Sequence, residues 1–385
     1  MSETSGETVP MLPVRLSYRA LYLFLFACAL CIIFLLLPGR RLSCCPNETS
    51  GQTSGRAPVF HMSDNDLSQN SFMYNGTYPL TAPQTAAGLE YRVGLVEDPD
   101  ESSRKGESFK WSSNLKTGGL VVHRDGSIGF KIENTIELTS YLSEKGRGAE
   151  LSELIVFNGR LYTVDDRSGI IFEVRGGQLV PWVILEDGPG TVGKGFKAEW
   201  MAVKGHMLYV GGLGKVWTTQ TGEYVNDHPQ WVKVVSPEGV VHHQPWSRVY
   251  NDMKLSAGIG TQGYIIHESA AWSPANRKWY FLPRRASNER YNDVADEHRA
   301  TNLMITADEN LSNMETTHIG PLNNVHGFSS FKFLPGSRDS VIVALKSEEN
   351  RGTIATYITA FDLSGKTLMA EQKIADVKLE GIEFI

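Results

Sequence analysis

The stretch from Glu150 to Gly169 reads ELSELIVFNGRLYTVDDRSG. It opens with acidic and hydroxyl side chains, continues as an apolar run, turns at an Asn-Gly pair and enters a second run of alternating residues. Short apolar runs divided by Gly, Asn and Asp are typical of antiparallel strands and hairpins. The segments YRVGLV (91–96) and GLVVHRDGSIGFKI (119–132) have the same pattern, so the sequence predicts an all-β domain.

The opening motif recurs along the chain. Related segments begin at Ala198 (AEWMAVKGHMLYVGGLGK), His267 (HESAAWSPANRKWYFLPRRAS), Phe328 (FSSFKFLPGSRDSVIVALKSEE) and Leu379 (LEGIEFI). Each places an acid or a serine beside an apolar strand, and these anchors are Ser152, Glu199, Glu268, Ser329 and Glu380. Successive anchors are 47, 69, 61 and 51 residues apart, which is the size of a four-stranded propeller blade with loops of varying length.

Five anchors predict a five-bladed β-propeller. The last anchor falls so near the C-terminus that its blade has one strand left to supply, so the other strands must come from about 91–123. Such closure removes open sheet edges. A β-sandwich, or two unrelated β domains, is the alternative.

The anchors also suggest a metal site. The innermost strand of each blade lines the central channel, so equivalent positions converge on one axis. Three glutamates that meet there repel one another unless a cation neutralises them, and oxygen ligands in high number suit calcium. The alternative is that the anchors form hydrogen bonds to neighbouring blades without a metal.

Several residues near the anchors suit phosphate chemistry. Asp98 and Asp100, and the pair Asp165 and Asp166, could orient or deprotonate a water molecule. Candidates to clamp phosphate oxygens are Arg147, Lys197, Lys215, Arg284 and Arg285, and candidates to stack on a base are Trp217 and Tyr291. Acid pairs are also common in turns, and Arg-Arg pairs are also common on solvated faces.

Composition excludes some classes of function. The formal net charge is −6, so the chain lacks the basic footprint of a protein that binds a nucleic acid polymer. All four cysteines (Cys28, Cys31, Cys44 and Cys45) precede residue 46, so the predicted β domain has no disulfide and no thiol chemistry.

The N-terminal region has the pattern of a membrane anchor. Residues 20–39 are an uncharged, mostly apolar run of 20, enough to cross a bilayer as a helix. We therefore expect a cytosolic tail (1–19), a transmembrane signal anchor (20–39), a Ser/Thr/Gly-rich stem (40–85) and the β domain (86–385). Three sequons after the anchor, at Asn47, Asn75 and Asn310, favour glycosylation and a lumenal domain in type II topology.

Longer blocks of the chain resemble the calcium-dependent apyrase family, which includes salivary enzymes of blood-feeding arthropods. They include EKGRGAELSELIVFNGRLYTVDDRSG, GFKAEWMAVK, LYVGGLGKVWT, GYIIHESAAWS, WYFLPRRASNERY, HGFSSFKF and LEGIEFI. The similarity runs from about Tyr74 to Ile385 and rests on several ordered blocks. The segment around Asp98-Pro99-Asp100 departs from the family pattern, and the loop after it is about two residues shorter.

The resemblance implies a role for each candidate residue. The calcium ligands would be Ser152, Glu199, Glu268, Ser329 and Glu380. Glu153, which stands beside the first of them where the family has aspartate, is a sixth candidate for the metal set. The essential acids would be Asp98 and Asp166. The residues that line the nucleotide pocket would be Lys197, Lys215, Arg284 and Trp217, with Tyr291 nearby; Arg147 and Arg285 remain substrate-binding candidates from the residue pattern alone.

The resemblance also implies calcium-dependent hydrolysis of nucleoside diphosphates, with UDP and GDP preferred, and of some triphosphates. Hydrolysis in the lumen of the Golgi or ER would support glycosylation and proteoglycan synthesis, a soluble form could be shed from the stem, and calcium could promote a homodimer. The alternative from a different class is a propeller interaction module whose calcium is only structural. A lactonase-like calcium propeller would leave Lys197, Lys215 and Arg284 unexplained.

Overall fold

The computed structural model describes residues 73–85, 88–106 and 109–385. Nearly all regular structure within them is β, as the sequence predicts. The predicted tail and anchor, most of the stem, the four cysteines and Asn47 lie outside the described residues. Among the helices of the described part, none combines the length and apolar character needed to cross a membrane.

The strands follow one another as antiparallel meanders. The first comprises β1 (Leu89–Glu97), β2 (Trp111–Val122) and β3 (Ile128–Ser140). The second comprises β4 (Leu151–Phe157), β5 (Arg160–Asp165), β6 (Ile170–Arg175) and β7 (Gln178–Ile184). A single parallel pair, Thr139 with Gln178, joins β3 to β7 and makes one sheet of the two meanders. A short hairpin of β8 (Glu186–Asp187) and β9 (Val192–Gly195) follows.

Three separate four-stranded sheets complete the meanders. One contains β10 (Trp200–Lys204), β11 (Met207–Gly211), β14 (Trp231–Val235) and β15 (Val241–Pro245), with the hairpin β12 (Trp217–Thr218) and β13 (Tyr224–Asn226) inserted between them. The next contains β16 (Tyr264–Ser273), β17 (Lys278–Ser287), β18 (Leu303–Asp308) and β19 (Glu315–His318). The third contains β20 (His326–Phe333), β21 (Val341–Asn350), β22 (Thr353–Asp362) and β23 (Thr367–Ala375).

Helices are few and short. The helix α1 (Ser247–Ser256) packs Tyr250 and Met253 into the core, and α2 (Asp293–Asp296) is a single turn. Short 3-10 turns cover Asp100–Ser103 and His228–Gln230.

The C-terminal strand joins the beginning of the domain. The strand β24 (Leu379–Phe384) pairs antiparallel with β1, with Val93 opposite Phe384 and Gly94 opposite Glu383. The prediction that the last strand completes a sheet from the start of the domain is therefore confirmed. Five strands also contact one another in a ring: β4 contacts β10, β10 contacts β16, β16 contacts β20, β20 contacts β24, and β24 contacts β4. This arrangement is consistent with a propeller.

The apolar core lies between neighbouring sheets. Trp200 on β10 packs with Trp279 and Phe281 on β17, and similar clusters lie between the other neighbouring meanders. This follows from the sequence pattern, because strands covered on both faces are apolar on both faces. The inner strands β4 and β20 are buried along their whole length.

A strap precedes β1. Residues 73–85, which the sequence assigns to the stem, contact the domain. Tyr74 stacks on the His206 ring at 4.3 Å, and the Tyr78 hydroxyl donates a hydrogen bond of 2.9 Å to Glu383. Glu383 is almost fully buried and also accepts from the Val156 amide, so the strap is bonded to the interior of the domain.

We expect Tyr78→Phe to lower the free energy of unfolding by about 1 kcal/mol, because it removes a hydrogen bond to a buried carboxylate. Urea denaturation of the domain from residue 73 onward measures the change. Tyr141→Phe, at a ring that is 73% exposed, is the matched control. Equal stability of the two variants would show that the strap contact contributes nothing.

Candidate active site

Breaks in strand register mark four of the five anchors. The pairing of β4 with β5 shifts at Ser152, that of β16 with β17 at Glu268, that of β20 with β21 at Ser329, and that of β24 with β1 at Glu380. Glu199, the fifth anchor, stands immediately before β10. A bulge leaves a residue outside the regular ladder and re-aims its side chain. The backbone therefore releases the anchors from regular pairing where the inner strands meet.

The two serine anchors connect neighbouring strands. The Ser152 hydroxyl donates to the carbonyl of Ala198 at 2.6 Å, and the Ser329 hydroxyl donates to the carbonyl of Leu379 at 3.1 Å. Ala198 and Leu379 directly precede the glutamate anchors of the next strands. The serine side chains thus make the bonds between neighbours that the sequence left open as the alternative to a metal.

The glutamate anchors line a cavity of about 520 Å³. Its wall contains more acids than bases, with eleven carboxylates against seven cationic side chains. The acids are Asp98, Asp100, Glu150, Asp166, Glu199, Glu268, Asp293, Asp296, Glu297, Glu349 and Glu380. The bases are Arg147, Arg167, Lys197, Lys215, Arg284, Arg285 and Lys378.

Burial of this charge perturbs the carboxylates. Burial raises the pKa of the Glu199 carboxyl to about 8; Lys197 opposes the rise, and Glu268 adds to it. Burial likewise raises the pKa of Glu268 to about 7, against the opposing charge of Arg284, and the nearby Glu380 adds to the rise. Burial and the neighbouring carboxylates thus disfavour the ionised forms of these glutamates. A hard cation bound among them would stabilise those ionised forms, so the glutamates suit a site for such a cation.

The predicted metal set divides into three groups. Glu199, Glu268 and Glu380 line the cavity, whereas Ser152 and Ser329 are buried and do not line it. Glu153 points elsewhere, because it follows Ser152 on the strand: its carboxylate accepts from Ser330 at 2.8 Å and from Lys332 at 3.1 Å, and it is fully buried.

The structure distinguishes the two adjacent aspartates. Asp165 accepts from the Arg167 amide at 3.0 Å, the Ala149 amide at 3.1 Å and the Ser168 hydroxyl at 2.8 Å, so it holds the turn together. Asp166 faces the cavity, where Lys197 binds its Oδ2 atom. The Oδ1 atom of Asp166 is buried and has no hydrogen-bond partner among the described residues.

Asp98 is more constrained than Asp166. Its Oδ1 accepts from the Asp100 amide at 2.9 Å, and its Oδ2 lies 2.6 Å from the Lys378 ammonium. Burial raises the pKa of Asp98 well above its usual range, and Lys378 opposes that rise.

Most of the predicted phosphate-binding cations are counter-ions of these acids. Lys197 contacts Asp166 and lies 2.7 Å from Glu199. Arg284 donates to Glu268, to Glu349, and to Glu380 at 2.9 Å.

Two further arginines have similar partners. Arg147 binds Glu150 with its Nε at 2.8 Å. Arg285 lies 3.3 Å from Asp296 and donates to that residue's backbone carbonyl, so it holds the segment that carries α2.

Lys215 differs from these cations. No carboxylate lies within ion-pairing distance of it in the part of the chain that the structure describes; it donates to Thr218 at 3.0 Å and lies 4.1 Å from the centre of the Tyr291 ring. Burial lowers its pKa to about 8. Trp217, 37% exposed, also lines this end of the cavity. A cation over one aromatic ring, with a second exposed ring in the same cavity wall, suits an anion attached to a planar ring.

Sequence reasoning missed several residues of the wall. Lys378 and Glu349 bridge predicted site residues, and Glu150 pairs with Arg147. One signal was present: Lys378 stands two residues before Glu380, and alternate residues of a strand share a face. Glu349 likewise closes the quoted block that begins at Phe328, but its pairing with Arg284 needs the fold.

The structure thus defines an all-β protein, consistent with a propeller, whose charged cavity is lined by residues at the ends of its inner strands. The family model described as Apyrase matches residues 99–385, and the chain belongs to the apyrase family. It is 52% identical to soluble calcium-activated nucleotidase 1 of Mus musculus over 340 residues, which cover 87% of this chain and 84% of that protein. Apyrase apy-1 of Caenorhabditis elegans is 45% identical, over 77% of this chain and 84% of its own length. An apyrase of Cimex lectularius is 41% identical, over 81% of this chain and 87% of its own length. The resemblance read from the sequence blocks is confirmed.

Proposed function

We propose that the protein is a calcium-dependent hydrolase that releases phosphate from nucleoside diphosphates, and also from some triphosphates. The observation that carries the proposal is the acid excess of one cavity, which has a lysine and two aromatic rings at one end. Membership of the apyrase family and the names of the relatives support the same activity.

The anchors fit calcium. Glu199, Glu268 and Glu380 offer carboxylate oxygens to the cavity, and the buried Ser152 and Ser329 at the register breaks offer carbonyl or hydroxyl oxygens. Calcium accepts six to eight such ligands in flexible geometry. When bound, it would supply positive charge to phosphate oxygens. We also propose that these five anchors represent five blades; division of the large sheet at its single β3–β7 pair supports that count.

The acids differ in what they can do. Asp166 has the buried oxygen without a partner, so we assign to it the orientation of the attacking water. Asp98 has both oxygens occupied, so it organises the wall next to the reaction. Lys197 lies beside Asp166 and can stabilise the charge that develops on the phosphate.

Lys215, Trp217 and Tyr291 would bind the nucleotide. The Lys215 ammonium has no carboxylate within ion-pairing distance among the described residues, and it lies 4.1 Å from the centre of the Tyr291 ring. Trp217 exposes a face on which a base can stack. We propose UDP and GDP as preferred substrates, as the family resemblance suggests.

We further propose a lumenal site of action in the Golgi or ER, with the anchor at 20–39, where hydrolysis of UDP supports glycosylation and proteoglycan synthesis. Asn75 and Asn310 are both exposed, which supports their proposed glycosylation.

We expect the mobility of the full chain expressed in animal cells to increase after digestion with an N-glycosidase. Identical mobility before and after digestion would contradict the lumenal assignment. Calcium-promoted dimers and a shed form are part of the same proposal.

We expect Asp166→Asn to reduce phosphate release from UDP by about 100-fold or more, because the substitution removes the water-orienting carboxylate. Excess EGTA should abolish release by the unmodified protein. Calcium should still raise the unfolding temperature of the variant, since the glutamate anchors remain. Asp252→Asn on α1 is the matched control, and its release should stay unchanged.

Release by Asp166→Asn at the unmodified rate would overturn the role of this acid. Absence of release from every nucleotide by the unmodified protein in millimolar calcium would instead favour the interaction module.

Lys215 should limit activity at alkaline pH. Its pKa is about 8, so it is charged and can bind phosphate below pH 8 and becomes neutral above it. We expect kcat/KM for UDP to fall as pH rises through about 8, since kcat/KM reports the free enzyme. Lys215→Arg should move this fall to higher pH, because arginine keeps its charge. An unchanged pH profile in the arginine variant would show that another group is responsible.

A further inference from the structure

We propose that Lys378 is a positioning residue whose ammonium keeps Asp98 and Asp100 in place and opposes cation binding at Glu380. The inference rests on the proposed calcium-dependent hydrolysis. It concerns a residue that was not among the site candidates read from the sequence, and it predicts opposite effects on catalysis and on calcium affinity.

The closing strand pair delivers Lys378 to this place. Glu97 on β1 is opposite Leu379 on β24, and the Asp98 amide donates to the Lys378 carbonyl at 2.9 Å. The backbones of Asp98 and Lys378 are therefore bonded to each other before their side chains meet. An ion pair between groups that the backbone already holds costs little further conformational entropy.

The ammonium of Lys378 is surrounded by carboxylates. It lies 2.6 Å from Asp98, 3.0 Å from Asp100, 3.7 Å from Glu349 and 3.8 Å from Glu380, and its side chain is 9% exposed. An ammonium has three N–H donors. Asp98 and Asp100 occupy donors at close range, so Lys378 is poorly placed to bind a phosphate and instead fixes the carboxylates.

Charge gives Lys378 a second effect. Glu349 lies between Lys378 and Arg284, and Arg284 in turn binds Glu268 and Glu380. Lys378 and Arg284 therefore both lie beside candidate calcium ligands, as Lys197 does beside Glu199. Removal of the Lys378 ammonium leaves the carboxylates around it with one cation fewer, so a divalent ion should bind more tightly. The same change removes the ion pair that positions Asp98.

The test compares Lys378→Met and Lys378→Arg with the unmodified protein and with Lys346→Met. Lys346 is a matched control because its side chain is 5% exposed and pairs with Glu371 at 2.9 Å outside the cavity. The readouts are kcat and KM for UDP, and the calcium concentration at half of the maximal rise in unfolding temperature.

For Lys378→Met we expect kcat to fall about 100-fold with little change in KM, since misplacement of a catalytic wall has effects of that size. The calcium midpoint should fall about threefold or more, because one repelling charge is gone. Lys378→Arg should recover most of kcat and the original midpoint. Lys346→Met should match the unmodified protein in both readouts. Lys378→Gln, which is polar but uncharged, provides the same comparison if the methionine variant does not fold.

A calcium midpoint that rises together with the loss of kcat would show a merely structural role and overturn the inference, as would an unchanged kcat. The calcium readout also separates this inference from the proposed function. If no nucleotide yields phosphate, the proposed function fails, but a lower calcium midpoint in Lys378→Met still supports the counter-ion role.

Discussion

The fold depends on how it accommodates excess negative charge where its inner strands meet. Carboxylates buried without partners are costly, and a buried pair is stable only when its geometry and hydrogen bonds are good. Lys197, Arg284 and Lys378 each contact at least two acids of the wall. The described wall still contains more carboxylates than cationic side chains, and this remaining negative charge is the physical reason for a bound cation.

The strand pair that joins the C-terminal strand to β1 also forms part of the cavity wall. Pairing of β24 with β1 joins the two ends of the described domain and also sets Lys378 beside Asp98. The register break in that pair releases Glu380 toward the cavity. A change in the register of the last strand would therefore alter the wall as well as the edge of the sheet, since a one-residue slip moves each side chain to the opposite face.

The sequence predicted the features that recur along the chain, and it missed residues whose role depends on one contact between distant segments. The anchors were visible because each stands beside an apolar strand at blade-sized intervals, and the all-β class followed from the same strands. The residue pattern alone could not separate Asp165 from Asp166, because their directions are decided by the turn that Asp165 caps; the family resemblance singled out Asp166. Glu349 was missed as a site residue because its partners, Arg284 and Lys378, come from other parts of the chain.

The cations of the wall are therefore not equivalent as phosphate ligands. Lys197 and Arg284 already bind carboxylates, so a phosphate would either share their remaining N–H donors or be exchanged for a carboxylate. Such an exchange replaces one charged hydrogen bond by another, so it adds little affinity but places positive charge at the reacting group. Lys215 has no carboxylate to give up within the described residues, so a bound phosphate would be its first anionic partner. In the proposed function, binding strength should consequently come from Lys215, Trp217 and Tyr291, and catalysis from the cations that are paired with carboxylates.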